Sequence, residues 1–355
     1  MNEYLINYDK LCAFTTEVFK LTGCDAAEAK AVAELLVDSD LRGVRSHGVI
    51  RIKQYVTKIM GGGASPDAVM EVVKETSNTA VLDAKGGIGA VASIKAVELA
   101  RKKASESNLG LVSVRNSNHF GMAGHWALML AGEDMIGFAC SNTSPSMPAP
   151  GAVQPALGNN PFAFAYSGEK YKEICVDMAC SIVAGGKVKD LASRGKEIPM
   201  GWFLDADGNP SNDPHKMSIL LPFAGHKGFG VAFIVETLGA ILSSGALSFE
   251  TNPQSEPGLP ENASQFFGAI RIDAFRELAD FKKAVDDTID FQKSLKKQEG
   301  VENIKYFGEI EYSNKQQIKR EGVTLPQTLT DEIAGVAISL GMPAGETAFL
   351  TEKLK

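Results

Sequence analysis

The chain has 355 residues and a formal net charge of −7, and 44% of its residues are hydrophobic, enough to bury one or two sizeable cores. The acidic balance argues against nucleic acid as a main partner, because phosphate binding needs a basic face. The five cysteines are odd in number and include no CxxC pair, so free thiols in a reducing, cytoplasmic compartment are expected. The N-terminus lacks the pattern of a signal peptide, and the most apolar stretch, residues 228–247, contains Glu236, so no membrane span is expected.

Apolar residues recur at helical spacing over residues 8–40, and Gly23 divides this stretch into two predicted helices. Asp25 and Glu28 form a capping-box pattern before the second helix. A shorter helix follows and stops at the glycines of residues 61–63, so that the first seventy or so residues are predicted to be helical.

The pattern then changes to short runs rich in β-branched residues, namely TAVLDA, LGLVSVRN, MIGFACSN and EICVDMAC, with helix-like segments between them. Strands that alternate with helices predict an α/β core. A last strand is predicted to begin at Gly268, followed by a charged helix and a helical tail. We therefore expect a helical N-terminal segment, residues 1–72, packing with C-terminal helices of residues 312–355, around a central α/β domain of residues 73–311.

Gly87, Gly89 and Ala92 match the GxGxxA pattern of dinucleotide-binding folds, between a predicted strand and a predicted helix. The next strand, however, ends in Arg115 and Asn116, where that fold would place a carboxylate for the ribose. A simple strand-to-helix turn also explains the glycines, and the missing carboxylate favours this interpretation.

The chain has only five histidines, and two of them, His47 and His119, lie in polar segments bounded by glycine. An imidazole suits a general acid or base near neutral pH, although a hydrogen-bonded loop histidine would give the same pattern. Arg51 follows His47 by four residues, so a helix over residues 47–58 would place both on one face. There the guanidinium could hold a carboxylate with two hydrogen bonds; the alternative is a surface arginine.

Residues 222–233, PFAGHKGFGVAF, are the best candidate for anion binding, because three glycines and Lys227 lie at the start of a long apolar helix. A tight turn for close helix packing is the alternative. Asp177 follows a predicted buried strand, EICV, where an acid caps a helix or holds a hydroxyl. His119 and His125 are six residues apart with no HExxH or CxxC motif, so no metal site is expected.

Taken in order, these segments resemble the malate/L-lactate dehydrogenase family of the non-Rossmann type. That family also includes ureidoglycolate, sulfolactate and diketogulonate oxidoreductases and cyclic imine reductases. The resemblance covers about residues 8–330 and rests on nine segments, among them DLRGVRSHGVIR, NSNHFG, SNTSP, DMACS and LLPFAGHKGFG. It implies a central mixed-sheet α/β domain of non-Rossmann type, flanked by helices from both termini, with NAD or NADP bound near the interface of a homodimer.

The resemblance implies hydride transfer between the nicotinamide and a small 2-hydroxy acid of the malate/L-lactate type. It makes His47 the proton donor or acceptor and His119 a second active-site histidine, with Ser46 orienting His47 and Arg51 binding the substrate carboxylate. The positions that match cofactor contacts are Thr143, Asp177, Met178, Ala179, Ser181, His226, Lys227, Gly308 and Glu309.

The alternatives are ureidoglycolate, a cyclic imine or a 2-oxo sugar acid as the substrate, and NADP in place of NAD. Ser144 stands where a ureidoglycolate member has Asp, which makes that substrate less secure. A non-enzymatic anion-binding protein and a metal-dependent hydrolase are the other classes of function considered. The presence of His47, His119 and Arg51 together argues against the first of these.

Overall fold

The computed structural model describes residues 2–132, 134–193 and 195–352. The α-helices are α1 (Tyr8–Lys20), α2 (Ala26–Leu41), α3 (Ile52–Met60), α4 (Gly89–Ser107), α5 (Ala123–Ala131), α6 (Gly185–Ser193), α7 (His226–Glu236), α8 (Leu278–Ser294), α9 (Glu309–Glu321), α10 (Gln327–Ser339) and α11 (Ala344–Thr347). The strands are β1 (Glu3–Ile6), β2 (Glu71–Glu75), β3 (Thr79–Asp83), β4 (Leu109–Ser117), β5 (Met135–Ser141), β6 (Met147–Pro148), β7 (Pro155–Leu157), β8 (Phe162–Tyr166), β9 (Ile174–Met178), β10 (Phe203–Leu204), β11 (Pro210–Ser211), β12 (Ile219–Leu220), β13 (Ala263–Arg271) and β14 (Val323–Pro326).

The central sheet has seven strands in the order β2-β3-β4-β13-β5-β8-β9. Strands β3 and β4 run parallel and are joined by the crossover helix α4, while every other neighbouring pair described in this sheet is antiparallel. The predicted α/β fold with a mixed central sheet is thereby confirmed. The GxGxxA segment leads into α4 in a largely antiparallel sheet, so it is a strand-to-helix turn and not part of a dinucleotide-binding fold.

The two ends of the chain lie together. β1 pairs antiparallel with β14, and the largest apolar core joins α1, α2, α4 and α5 to the sheet and to the C-terminal helices. The prediction of an all-helical first segment missed β1, and the prediction of a helical tail missed β14. β1 and β14 pair with each other from opposite ends of the sequence, so no local pattern indicates them. The last predicted strand begins earlier than expected, at Ala263. The domain boundaries at residues 72 and 312 stay a prediction.

A second, smaller apolar core lies under the three-stranded sheet β11-β10-β12 and includes Met147, Cys180, Val188, Phe203 and Ala232. It fixes α6 and α7 beside the ends of β5 and β9. All five cysteines are free thiols. No α-helix among residues 2–132, 134–193 and 195–352 has the length and apolar content needed to span a membrane. The cytoplasmic location stays a prediction.

Candidate active site

The segment between α2 and α3 forms two short 3₁₀ turns, Arg45–His47 and Val49–Arg51, and α3 begins only at Ile52. The prediction of a continuous helix from residue 47 is therefore wrong. The physical reason is local: Gly48 is extended, with ψ −155°, and the Val49 N–H donates to the Asp40 carboxylate at 2.7 Å. His47 and Arg51 consequently lie on successive tight turns.

Asp40 is a buried carboxyl directly beneath these turns. A Cβ added to Gly48 would lie 2.0 Å from Asp40 Oδ1, so the carboxyl packs against the glycine backbone. Burial raises the pKa of Asp40 to about 7, against the Val49 hydrogen bond and the Arg45 charge, which both lower it. The carboxyl therefore fixes the position of the His47 turn through backbone contacts alone.

The rings of His47 and His119 stack, with centroids 5.5 Å apart and an angle of 19° between planes. Ser46 Oγ lies 3.0 Å from His47 Nδ1, and the Tyr55 hydroxyl lies 2.6 Å from His119 Nδ1. The Gly121 N–H donates to that same Nδ1 at 3.3 Å, which places the proton of the neutral His119 ring on Nε2. Ser46 and His47 from one predicted segment and His119 from another thus form one cluster.

Both imidazoles are held uncharged. Burial and, after it, the Arg51 charge together lower the pKa of His47 to about 4. Burial, Arg51 and His47 in that order hold the pKa of His119 well below its usual value. At neutral pH each ring therefore has one nitrogen lone pair.

Arg51 is held by neutral groups. Its Nε donates to the Ser46 carbonyl at 2.7 Å, and its Nη1 donates to Gln54 Oε1 at 2.6 Å and to Gln254 Oε1 at 3.2 Å. Within the described parts of the chain, no carboxylate lies within 4.0 Å of this guanidinium. The two N–H groups of Nη2 are left to bind an anion. The predicted pair of hydrogen bonds to a substrate carboxylate would therefore use Nη2 alone, unless Gln54 or Gln254 moves away from Nη1.

The end of α2 is anchored on its other face by a compact ionic network. Arg42 pairs with Asp38 at 2.8 Å and with Glu173 at 2.6 Å, and Asp38 also contacts His125 Nδ1 at 2.9 Å and Lys315 Nζ at 2.8 Å. Burial alone would raise the pKa of Asp38, but the His125 hydrogen bond and the charges of Arg42 and Lys315 outweigh it and lower the pKa. The network ties α2 to α5, α9 and the start of β9.

Several predicted cofactor positions surround Cys180, just after β9. The Thr143 hydroxyl donates to Asn159 Oδ1 at 3.0 Å, and the Cys180 N–H donates to the Asn159 carbonyl at 2.7 Å. The Phe223 N–H donates to the Cys180 carbonyl at 3.0 Å, which brings the first turn of α7 to the same place. The predicted positions gathered here are Thr143, Ala179, Ser181, His226 and Lys227.

The other predicted cofactor positions lie along β9. The Asp177 carboxylate accepts the Gly124 N–H at the start of α5 at 2.9 Å, and Met178 is exposed.

Gly308 packs against the Cys175 backbone, where an added Cβ would lie 2.8 Å from the nitrogen. The Glu309 carboxylate accepts from Lys293 at 2.7 Å and from the Tyr306 N–H at 3.1 Å. Glu309 therefore already serves to hold the start of α9.

Sequence reasoning missed the residues that surround the two imidazoles and Arg51. A cleft beside His119 is lined by Gln54, Tyr55, Lys58, Gln254 and Glu261, among others. Tyr55 follows Arg51 by four residues, so helical spacing could have indicated that they share a face. Gln254 and Glu261 come from a loop some two hundred residues further on and carry no local signal. Among the residues with described positions, no group of three or more His, Cys, Asp or Glu could hold a metal ion.

Comparison with known proteins gives consistent matches over nearly the whole chain. The family described as malate/L-lactate dehydrogenase matches residues 6–334. An L-sulfolactate dehydrogenase of Methanocaldococcus jannaschii is 37% identical over 330 residues, 92% of this chain and 94% of that protein. A malate dehydrogenase of Pyrococcus horikoshii is 36% identical over 344 residues, 94% of this chain and 95% of that protein. The crystal structure of malate dehydrogenase from Entamoeba histolytica superposes with a TM-score of 0.92 at 30% identity, covering 96% of this chain and 99% of that one.

Replacing Asp40 by Asn should change how stability depends on pH. Asn keeps an acceptor for the Val49 N–H but cannot ionise. Because folding raises the pKa of Asp40 to about 7, ionising it costs stability as pH rises from its unfolded pKa of about 3.9 towards 7, at most about 1.4 kcal/mol per pH unit. We expect urea unfolding to show the difference in unfolding free energy moving in favour of Asp40→Asn between pH 5 and pH 8, by roughly 1–3 kcal/mol in all.

The matched control is Asp207→Asn, which changes an exposed acid in a loop. Its difference from the unsubstituted protein should stay constant over the same pH range. A constant difference for Asp40→Asn as well would contradict the role given to burial of this carboxyl.

Proposed function

We propose a substrate and a cofactor for this chain, which belongs to the malate/L-lactate dehydrogenase family. It is therefore a nicotinamide-dependent dehydrogenase of 2-hydroxy acids, and the resemblance found in the sequence is confirmed. The finer proposal is that it oxidises a small 2-hydroxy acid of the malate/L-lactate type with NAD. The observation that supports it most is the cluster of Arg51, which has no carboxylate partner among the described residues, with the uncharged rings of His47 and His119.

Oxidation of a 2-hydroxy acid requires a group that fixes the carboxylate and a base that takes the hydroxyl proton. The Nη2 of Arg51 is available for the carboxylate, since its other donors are engaged. An uncharged imidazole is ready to take the proton at neutral pH, because the pKa of His47 is lowered to about 4. When it is bound, the nicotinamide accepts the hydride from the carbinol carbon.

The hydrogen bonds favour different roles for the two histidines. His119 Nδ1 accepts from Gly121 and faces the Tyr55 hydroxyl, so its Nε2–H is a donor suited to the substrate oxygen. Among the residues that the structure describes, His47 Nδ1 lies within hydrogen-bonding distance of Ser46 Oγ alone. If it donates to that oxygen, its Nε2 lone pair is free, and we propose His47 as the base and Ser46 as the residue that sets its tautomer.

The first turn of α7 supports the proposed cofactor contacts. His226 and Lys227 are exposed there, Lys227 brings a cation to the helix N-terminus, and Pro222 just before the turn pairs with Ser181. Backbone N–H groups and a cation fit a pyrophosphate. Asp177 and Glu309 fit less directly, because Gly124 and Lys293 already engage their carboxylates. NAD is the cofactor that we propose, with NADP as the alternative.

A homodimer is also proposed, and an exposed apolar helix face supports it. Phe233 and Ile234 of α7 and Ile241 and Leu242 of the turn that extends it are each about half exposed, with Phe249 just beyond. Large contiguous apolar patches on soluble proteins commonly mark interfaces. We propose a second copy of this chain as the partner that covers this face.

Assaying the purified protein by the ultraviolet absorbance of reduced nicotinamide tests the substrate and cofactor together. Malate, L-lactate, sulfolactate and ureidoglycolate would each be offered with NAD and with NADP, and their oxo acids and a cyclic imine with the reduced cofactors. We expect turnover of malate or L-lactate with NAD. Turnover confined to ureidoglycolate or the cyclic imine would overturn the proposed substrate, and turnover with NADP alone would overturn the proposed cofactor.

Replacing His47 by Asn should lower kcat for oxidation by about 10²–10⁴-fold, the range for loss of a general base, with the fold intact by circular dichroism. His215→Asn, in an exposed turn, is the control and should retain normal turnover. Near-normal turnover of the His47 variant would transfer the role of base to His119.

Placing a charge on the apolar face should separate the proposed dimer. We expect light scattering with size-exclusion chromatography to give a dimer for the unsubstituted chain and a monomer for Phe233→Glu, because a buried unpaired carboxylate costs several kcal/mol. Phe275→Glu is the control, since Phe275 is 83% exposed and lies outside this face. A monomeric unsubstituted chain would rule out the proposal.

A further inference from the structure

Glu236, the last residue of α7, carries a carboxylate that is only 2% exposed. Across the part of the chain that the structure describes, it forms no ion pair with a lysine, arginine or histidine. Three hydrogen bonds hold it instead. Oε1 accepts the Ser248 N–H at 2.6 Å, and Oε2 accepts the Ser248 hydroxyl at 2.6 Å and the Asn160 amide at 3.1 Å. Burying a carboxylate without a cation is costly, so this arrangement calls for an explanation beyond packing.

The amide of Asn160 connects Glu236 to the backbone of Thr143. Asn160 is fully buried, and its Nδ2 donates to the Ala232 carbonyl at 3.0 Å as well as to the Glu236 carboxylate. Carboxylate and carbonyl oxygens only accept hydrogen bonds, so both require the nitrogen of the amide. The Asn160 oxygen is therefore turned to the other side, where it accepts the Thr143 N–H at 3.0 Å.

The backbone of Asn160 depends on these same bonds. Its φ of +32° lies in the left-handed region, which is uncommon for a residue with a side chain, although Asn tolerates it better than most. The bonds at Nδ2 and Oδ1 stabilise it there. The preceding residue, Asn159, accepts the Thr143 hydroxyl at 3.0 Å through its Oδ1. Both the N–H and the hydroxyl of Thr143 are thus held by two neighbouring asparagines.

We propose that Glu236 is a positioning residue for cofactor binding, which holds Thr143 in place through the amide of Asn160. By accepting from Nδ2, the carboxylate keeps the Asn160 oxygen turned toward the Thr143 N–H. Without it, the amide loses one of the two acceptors that determine its orientation, and Thr143 is free to shift relative to α7. The inference rests on the proposed function, because it requires Thr143 to contact the cofactor.

The negative charge of Glu236 has the opposite effect on a phosphate-bearing cofactor. The proposed pyrophosphate contact, Lys227, is at the first turn of α7, and Glu236 lies at the other end, about 15 Å away along the helix axis. A negative charge there repels a bound phosphate. If repulsion dominates, removing the charge should tighten cofactor binding, whereas loss of positioning should weaken it. One substitution therefore separates the two effects.

The variant is Glu236→Gln, which removes the charge and selectively releases Asn160. The Ser248 N–H requires an acceptor, so the oxygen of the new amide takes the Oε1 position and its nitrogen takes the Oε2 position. There the Ser248 hydroxyl can turn and accept, but Asn160 Nδ2 faces a second donor. The bonds to Ser248 are kept and the bond to Asn160 is lost.

We expect the Kd of the reduced cofactor, measured by its fluorescence, to rise about 3–10-fold in Glu236→Gln, the equivalent of one hydrogen bond. NADH and NADPH would both be titrated, and the one that the unsubstituted protein binds more tightly would be used. With that cofactor saturating, kcat and KM for the 2-hydroxy acid should stay within about twofold, because Arg51 and His47 are not touched. An unchanged or lower Kd would overturn the proposal.

Two matched controls separate positioning from loss of charge and from loss of stability. Glu250→Gln makes the same substitution at an exposed acid and keeps an acceptor for the Leu247 N–H, so it should leave Kd unchanged. Val235→Ala shortens the neighbouring side chain of α7, which is 1% exposed in an apolar core. It should lower the free energy of unfolding in urea without changing Kd. An equal rise in Kd for Val235→Ala would show a purely structural effect and overturn the positioning role.

Hydrogen exchange tests the connection to Thr143 in the absence of any cofactor. In Glu236→Gln, the Thr143 amide should exchange faster, because the Asn160 oxygen that accepts it is no longer fixed. The amides of β5, which bond within the sheet, should keep their rates. Mass spectrometry of a peptide covering residues 142–146 gives the measurement. An unchanged rate in this peptide would contradict the proposed connection.

A double-mutant cycle tests whether Glu236 acts through Asn160. Asn160→Gly removes the amide, tolerates the same φ and should raise Kd by a similar or larger factor. Because both changes break one chain of contacts, the double variant should bind the cofactor no worse than the worse single variant, and additive effects would overturn the proposal. Should Glu236→Gln fail to fold, Asn160→Gly carries the test, and an unchanged Kd there would overturn it.

Thr143→Val distinguishes failure of this inference from failure of the proposed function. It keeps the shape of the side chain and removes the hydroxyl. Weaker cofactor binding in Thr143→Val, with an unchanged or lower Kd in Glu236→Gln, would overturn the positioning role and leave the proposed contact standing. Unchanged binding in Thr143→Val would instead overturn the cofactor contact assigned to Thr143 in the proposed function, and the inference with it.

Discussion

The positive charge of Arg51, held beside two imidazoles without a carboxylate partner in the described structure, is the constraint that organises the active site. An arginine does not lose its proton in a protein, so the titratable groups near it must adjust. Burial first, and the Arg51 charge after it, lower the pKa of both His47 and His119, so that both rings stay uncharged. The cluster therefore has a cation without a carboxylate partner among the described residues and one lone pair that can take a proton, on the proposed base His47, since the Nδ1 lone pair of His119 already accepts from the Gly121 N–H. A 2-hydroxy carboxylate complements both features, since it brings one negative charge and one proton to be removed.

The scaffold holds this cluster from a single helix end. In an α-helix, residues i and i+4 share a face while residue i+2 lies on nearly the opposite side. Asp38 and Arg42 accordingly face α5, α9 and Glu173, whereas Asp40 faces the His47 turn. The ionic network fixes the helix in the fold, and the single buried carboxyl transmits that fixed position to the active-site backbone. The ion pairs of Asp38, Arg42 and Glu173 thus support a site in which Arg51 has no carboxylate partner among the described residues.

The sequence predicted the parts of the structure that have a local signal. The N-cap predicted at Asp25 is confirmed, since Asp25 Oδ1 accepts the Glu28 N–H at 2.8 Å. The predicted start of α3 was wrong because Gly48 is extended, with the Asp40 carboxyl packed against its backbone, and this interrupts a helix that would begin at residue 47. Histidine scarcity and flanking glycines indicated His47 and His119. Gln254 and Glu261 were missed because an ordinary loop becomes part of the site only through tertiary contacts.

The first turn of α7 shows how such contacts also determine local conformation. The sequence has three glycines in this segment, but the left-handed backbone begins at a residue with a side chain, since Ala224 has φ +48° immediately before Gly225 at φ +62°. A residue with a Cβ is disfavoured in that region by roughly 1–2 kcal/mol, so neighbouring bonds must enforce it. The Phe223 N–H donates to the Cys180 carbonyl and the Gly228 N–H to the Phe223 carbonyl, each at 3.0 Å. The turn that presents His226 and Lys227 is therefore fixed to the end of β9. The proposed phosphate-binding turn and the strand that carries Asp177 accordingly share one rigid frame, and a cofactor bound to both would be held at a fixed position relative to the sheet.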